Sequence, residues 1–97
     1  MEVFAERLKS LRTEKQFTMD MVVYDIEQKF NVEITKSHLS RWESGKTEPS
    51  IRYAALLAQY YNVSLDYLIG VTDHRAPVDL LLKGKKEKVE NNERRNI

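Results

Sequence analysis

Five times along this chain a helix is announced by spacing and bounded by a helix-starting or helix-stopping residue, and that punctuation limits the folds open to it. Phe4, Leu8 and Leu11 recur at i, i+4, i+7 with charged or polar residues between them, the pattern of an amphipathic helix of about three turns. Thr18 is placed to cap a second helix running to about Phe30, where Val22, Ile26 and Phe30 form a stripe widened by Met19 and Val23. "NVEI" is then a short connection in which Val32 and Ile34 alternate with polar residues, a pattern also open to a brief extended segment. Thr35 caps a short third helix carrying Leu39 and Trp42, and Gly45 suits its end, where the backbone turns to positive φ. Pro49 bars helix before it, and Ser50 starts a fourth with a wide stripe of Ile51, Ala54, Ala55, Leu57, Ala58 and Tyr61. Ser64 caps a last short helix, "LDYLI", stopped by Gly70. Five helices in about 70 residues with short links predict a compact all-α domain.

Of the 97 residues, 1–70 therefore form the expected domain and 71–97 a tail. Residues 83–97 carry a net charge of +3 within a total of +1, which leaves −2 for the first 82, so any basic face on the domain is local. The end of the tail reads as flexible, disordered or loosely helical. Its exception is "VDLLL", residues 78–82, where four apolar residues call for cover by the domain or by another chain.

Several chemistries find no support. There is no cysteine, so no disulfide, thiolate metal site or thiol nucleophile. His38 and His74 stand alone, with no second ligand at metal spacing. No nucleophile, base and acid set and no glycine-rich phosphate loop is present, so neither an enzyme nor a cofactor is expected. The N-terminus lacks the basic start and apolar run of a signal peptide, and no apolar stretch reaches the ~20 residues of a membrane span. A cytoplasmic protein is expected.

The stretch "SRWESGKTEPS" decides between the remaining readings. Ser40, Trp42, Glu43, Gly45, Pro49 and Ser50 fall at the S-x-W-E-x-G-x-x-x-P-S spacing common in the Cro/phage-repressor type (XRE, lambda-repressor-like) of helix-turn-helix domain. "RLKSLRTEK" resembles that family's opening helix and "NVSLDYLIG" its closing one. The likeness covers about residues 4–70. One departure is visible: the segment from Thr18 to Trp42 is longer than the family's usual helix 2 and turn, and "KFNVEITK" replaces the small residue and glycine expected there.

The resemblance implies that helix 3, about residues 35–44, enters the major groove of double-stranded DNA. With Leu39 and Trp42 turned inward, Lys36, Ser37, Ser40 and Arg41 point out as the base readers, and the Arg41 fork is best suited to guanine O6 and N7. Candidates for the DNA backbone are Arg12, the helix starts at Thr18, Met19 and Thr35, and His38, Ser44, Lys46, Thr47 and Arg52. Asp20, beside the second helix start, opposes a phosphate. Glu43 and Trp42 are supports rather than readers. In the family this acid pairs with an arginine of helix 1, here Arg12, and a stacking platform would need several exposed aromatics. The function so implied is a sequence-specific transcriptional regulator, a repressor of phage or mobile-element type, acting as a homodimer on a partly palindromic operator. The alternative is a protein-interaction module such as an antitoxin or anti-repressor partner, which an acidic third helix would favour; this one is basic.

Overall fold

The computed structural model describes residues 2–77. They form α1 (Glu2–Glu14), α2 (Met19–Phe30), α3 (Lys36–Ser44), α4 (Ile51–Tyr60) and α5 (Leu65–Leu68), with no strand among the described residues. The expectations for "VDLLL" and for a flexible end of the tail fall on residues 78–97, outside the described ones.

The starts of α2 to α5 are set by local chemistry. The hydroxyls of Thr18, Thr35, Ser50 and Ser64 accept from the backbone N–H three residues on, at Met21, His38, Tyr53 and Tyr67. These bonds satisfy amides that a helix start otherwise leaves without partners. α2 ends at Asn31, a residue that tolerates the left-handed conformation it adopts (φ 56°, ψ 40°), with its N–H donated to the Glu27 carbonyl. Gly45 closes α3 at φ 80°, where a side chain would be strained whatever the space around it.

The stripes then close on one core. Phe4, Leu8 and Leu11 of α1 meet Val22 and Ile26 of α2, Leu39 and Trp42 of α3, and Leu57, Tyr61 and Leu68 from the last two helices. α3 lies against α1 and α2, and α5 against α4 and α1. The five residues between α2 and α3 form neither helix nor sheet, and Thr35 at their end is extended. Ile34 is buried and Val32 half-buried, so the alternation seen in the sequence fixes a longer turn by planting two side chains in the core.

One stripe is narrower than expected. Ala54, Leu57, Ala58 and Tyr61 are buried, while Ala55 is exposed and Ile51 is 74% exposed. The i, i+3, i+4, i+7 set already fills the inward face of α4. Ile51 stands one turn before its first buried member, and Ala55 is rotated off that face.

The chain beyond Gly70 turns back on the domain. At Gly70 (φ 91°) an added Cβ would come within 3.0 Å of Val3 Cγ1, so the last turn passes close over α1. Arg7 of α1 donates to the carbonyls of Tyr67 and Thr72 and to Asp73, with its guanidinium over the Tyr67 ring. The Ser64 N–H donates to the Arg75 carbonyl at 2.8 Å, and the Arg75 side chain makes a two-bond pair with Glu14.

Candidate nucleic-acid interface

α3 is held at both ends and along one side. At its start, His38 completes a reciprocal cap: its N–H donates to Thr35 Oγ1 at 3.0 Å, and its Nδ1 accepts from the Thr35 N–H at 3.2 Å. At its end the Arg41 carbonyl accepts from the N–H groups of Lys46 and Thr47 and from the Ser44 hydroxyl. Leu39 and Trp42 face the core, and the Trp42 indole is flanked by the His38 ring at 5.8 Å and the Tyr53 ring at 6.2 Å.

With that inward side fixed, Lys36, Ser37, Ser40 and Arg41 are all exposed, and the structure brings the four together on the outer side of one helix. Two interactions order them. Arg41 Nη1 donates to Ser37 Oγ one turn earlier, at 2.7 Å. Lys36 Nζ lies 3.7 Å from Asp20 Oδ2 at the start of α2, with both side chains more than half exposed.

Beneath α3 lies a charge pair. Arg12 donates through Nε to Glu43 Oε2 at 2.7 Å and through Nη2 to Oε1 at 2.9 Å, while its Nη1 donates to the Phe17 carbonyl at 2.9 Å. The carboxylate is 3% exposed, and its hydrogen bonds hold the Arg12 guanidinium above its ordinary pKa against the opposing effect of burial. This is the tie between α1 and α3 that the family resemblance implies for Arg12; its side chain is 14% exposed, and Nη1 and Nη2 each use one of their two N–H groups in these bonds.

The other backbone candidates differ in what they offer. The Thr18 and Thr35 hydroxyls accept at the caps, which leaves each its own O–H to donate. Met19 is half-buried against the core, which leaves its amide at the helix start as the group it can offer. Lys46, Thr47 and Arg52 are exposed, and neither Lys46 nor Arg52 has an ion pair among the described residues. Ser44 is exposed with its hydroxyl on the Arg41 carbonyl, and His38 keeps only Nε2 free of the cap.

Other ties went unseen in the sequence. Tyr60 donates to Asp25 at 2.6 Å and joins α4 to α2, and Arg7 and Arg75 anchor residues 71–77. Each couples positions 35 to 66 residues apart, and among so many charged residues no spacing singles out the partner. Among the described residues there is no cluster of His, Cys, Asp or Glu that could hold a metal, and no helix long and apolar enough to cross a membrane.

Comparison with known proteins adds a family to this geometry. A helix-turn-helix family model matches residues 8–68. An uncharacterized HTH-type transcriptional regulator of Bacillus subtilis (strain 168), YobD, is 31% identical over 75 residues, 77% of this chain and 62% of that protein. The HTH-type transcriptional activator BcrR of Enterococcus faecalis is 30% identical over 66 residues, 68% of this chain and 29% of that protein. The chain thus spans less than two thirds of the length of either relative. No solved structure matches it.

Proposed function

Since this chain belongs to the XRE-type (Cro/phage-repressor) helix-turn-helix family, we propose that it is a transcriptional regulator that binds double-stranded DNA in a sequence-specific manner. The observation that carries this reading is the outer side of α3: Lys36, Ser37, Ser40 and Arg41 exposed together on a helix capped at both ends and tied to α1 from beneath. A helix presented this way fits the major groove, and cationic and hydroxyl side chains match the acceptors displayed there. Lys46, Thr47 and Arg52, with the amides at the starts of α2 and α3, grip the flanking phosphates. Residues 1–70 form the reading domain in this proposal and 71–97 a tail that contributes to dimerisation.

A single short helix makes few base contacts, so the active species is a homodimer on a partly palindromic operator with half-sites about one helical turn apart. We take repression as its mode, of phage or mobile-element type, and the cytoplasm as its place of work. A reporter driven from the operator checks the sign, and the activator in the name of one relative is the competing outcome.

Selection from random duplex DNA, followed by affinity for the winner at several salt concentrations, tests the proposal. An enriched palindrome bound ~10³-fold or more above random duplex is expected. No enrichment, with weak salt-sensitive binding that disappears when residues 83–97 are deleted, would overturn it. The attraction would then belong to the basic tail, and the domain would be sought as a partner of another protein.

A further inference from the structure

Asp20 and Lys36 stand at the starts of two neighbouring helices, the second residue of α2 and the first of α3. Lys36 Nζ lies 3.7 Å from Asp20 Oδ2, and both side chains are more than half in solvent. So exposed a pair adds little to stability, because water screens it and two side chains must be held in one geometry. The acid suits its own helix, since a negative charge at a helix start meets the positive end of the dipole. The cation does not suit its own. Lys36 occupies the end of α3 where positive charge is disfavoured, and α3 has no acid in its first turn to offset it. Asp20 supplies that charge from across the α2–α3 seam.

Neutralising Lys36 changes what it can do. A lone ammonium is a point charge drawn to any phosphate, whatever the sequence. It carries three N–H groups, of which a carboxylate at one side takes at most one. A lysine so paired still has donors for a base acceptor such as guanine O6 or N7, while the pair as a whole has no net charge. We infer that Asp20 is a positioning residue for sequence discrimination: by pairing with Lys36 it withdraws that cation from phosphate and leaves it to read a base. This role rests on the DNA-reading function proposed above. Lys46 and Arg52, with no ion pair among the described residues, keep their charge for the phosphates.

The test compares wild type, Asp20→Asn, Lys36→Gln and the double variant on the selected site and on random duplex, at several salt concentrations. At ~0.15 M salt Asp20→Asn should bind random duplex roughly fivefold tighter, the worth of one added phosphate contact, with a salt slope steeper by about one. Affinity for the selected site, where Lys36 stays on its base, should rise less than about twofold, so the specificity ratio falls. In the Lys36→Gln background, Asp20→Asn should alter neither the affinity for random duplex nor the slope. Misfolding cannot imitate this pattern, since it would weaken binding to both DNAs. Equal gains on both DNAs, a gain that persists without Lys36, or no gain at all would overturn the inference. If wild type enriches no sequence, the DNA-reading function fails and this role with it. If wild type enriches a site and Asp20→Asn keeps the full ratio, this role alone fails.

Discussion

The guanidinium of Arg12 and the carboxylate of Glu43 meet edge to edge through two hydrogen bonds, 31 residues apart in the chain and across the seam between α1 and α3. The pair is mostly buried, and its strength is one-sided. Removing one partner leaves the other charge desolvated without compensation, at a cost of about 3 kcal/mol or more. Arg12→Ala is therefore expected to lower unfolding stability by that order in urea titration, and Arg12→Lys to recover little, because an ammonium cannot reproduce the fork. Replacing both by apolar residues, Arg12→Met with Glu43→Leu, should return most of the loss. A single-mutant loss below about 1 kcal/mol would mean that the pair behaves like an exposed salt bridge and does not hold α3.

How far the sequence carries is visible in particular residues. Thr18, Thr35, Ser50 and Ser64 were readable as caps because a cap is a local matter of one hydroxyl and an amide three residues on. Gly45 was readable for the same reason. The outer set on α3 followed from the inward placement of Leu39 and Trp42, a property of one helix. Ile51 and Ala55 were misplaced because periodicity gives a face but not where the core ends along it. The sequence offers His38 as a candidate for the DNA backbone, and its reciprocal cap with Thr35 depends on a rotamer that no spacing encodes. The anchoring of residues 71–77 by Arg7 and Arg75 is tertiary throughout.

Tyr61 yields the second prediction. Tyr61→Phe removes a buried hydroxyl with no partner among the described residues and should stabilise the domain by about 1 kcal/mol. Burial, with Glu43 nearby, raises the Tyr61 pKa, and burial, with the Asp25 hydrogen bond, raises that of Tyr60. A raised folded pKa gives stability that is complete below the unfolded value of ~10 and is lost as pH rises through the folded one. Thermal melts from neutral pH upward should thus show alkaline destabilisation setting in near pH ~10, less steep in Tyr61→Phe. A variant less stable than wild type at neutral pH would show that the hydroxyl has a partner after all.

Glu14 behaves in the opposite sense. Its two bonds from Arg75 hold the carboxyl below its ordinary pKa, outweighing a small effect of burial. A depressed folded pKa gives stability that is present above the unfolded value, ~4.3, and is lost as pH falls through the folded one. The stability difference between wild type and Glu14→Gln should accordingly shrink as pH drops below ~4. The pair is half exposed, so hydrogen exchange is a more sensitive readout than melting. Arg75→Ala should speed exchange of the Ser64 amide, which donates to the Arg75 carbonyl. Unchanged exchange would mean that the Arg75 side chain does not help to hold residues 71–77.

On the proposed DNA face, base reading and phosphate gripping are separable. Arg41 donates to Ser37 Oγ, which fixes the direction of its fork before any base is met, so the two side chains act as one unit. Arg41→Ala should cost ~1–3 kcal/mol of discrimination at one base pair of the selected site. Ser37→Ala should relax the same base pair to a smaller degree and leave binding to random duplex unchanged. Lys46 and Arg52 have no such partner and lie beyond the outer side of α3, so each should act on phosphate. Lys46→Ala should weaken all sequences alike and reduce the salt slope by about one. Competition binding on the selected site and its single-base variants, at several salt concentrations, measures both effects. If Ser37→Ala instead relaxed a different base pair from Arg41→Ala, the serine would be reading on its own, and its bond to Arg41 would belong to the free protein only.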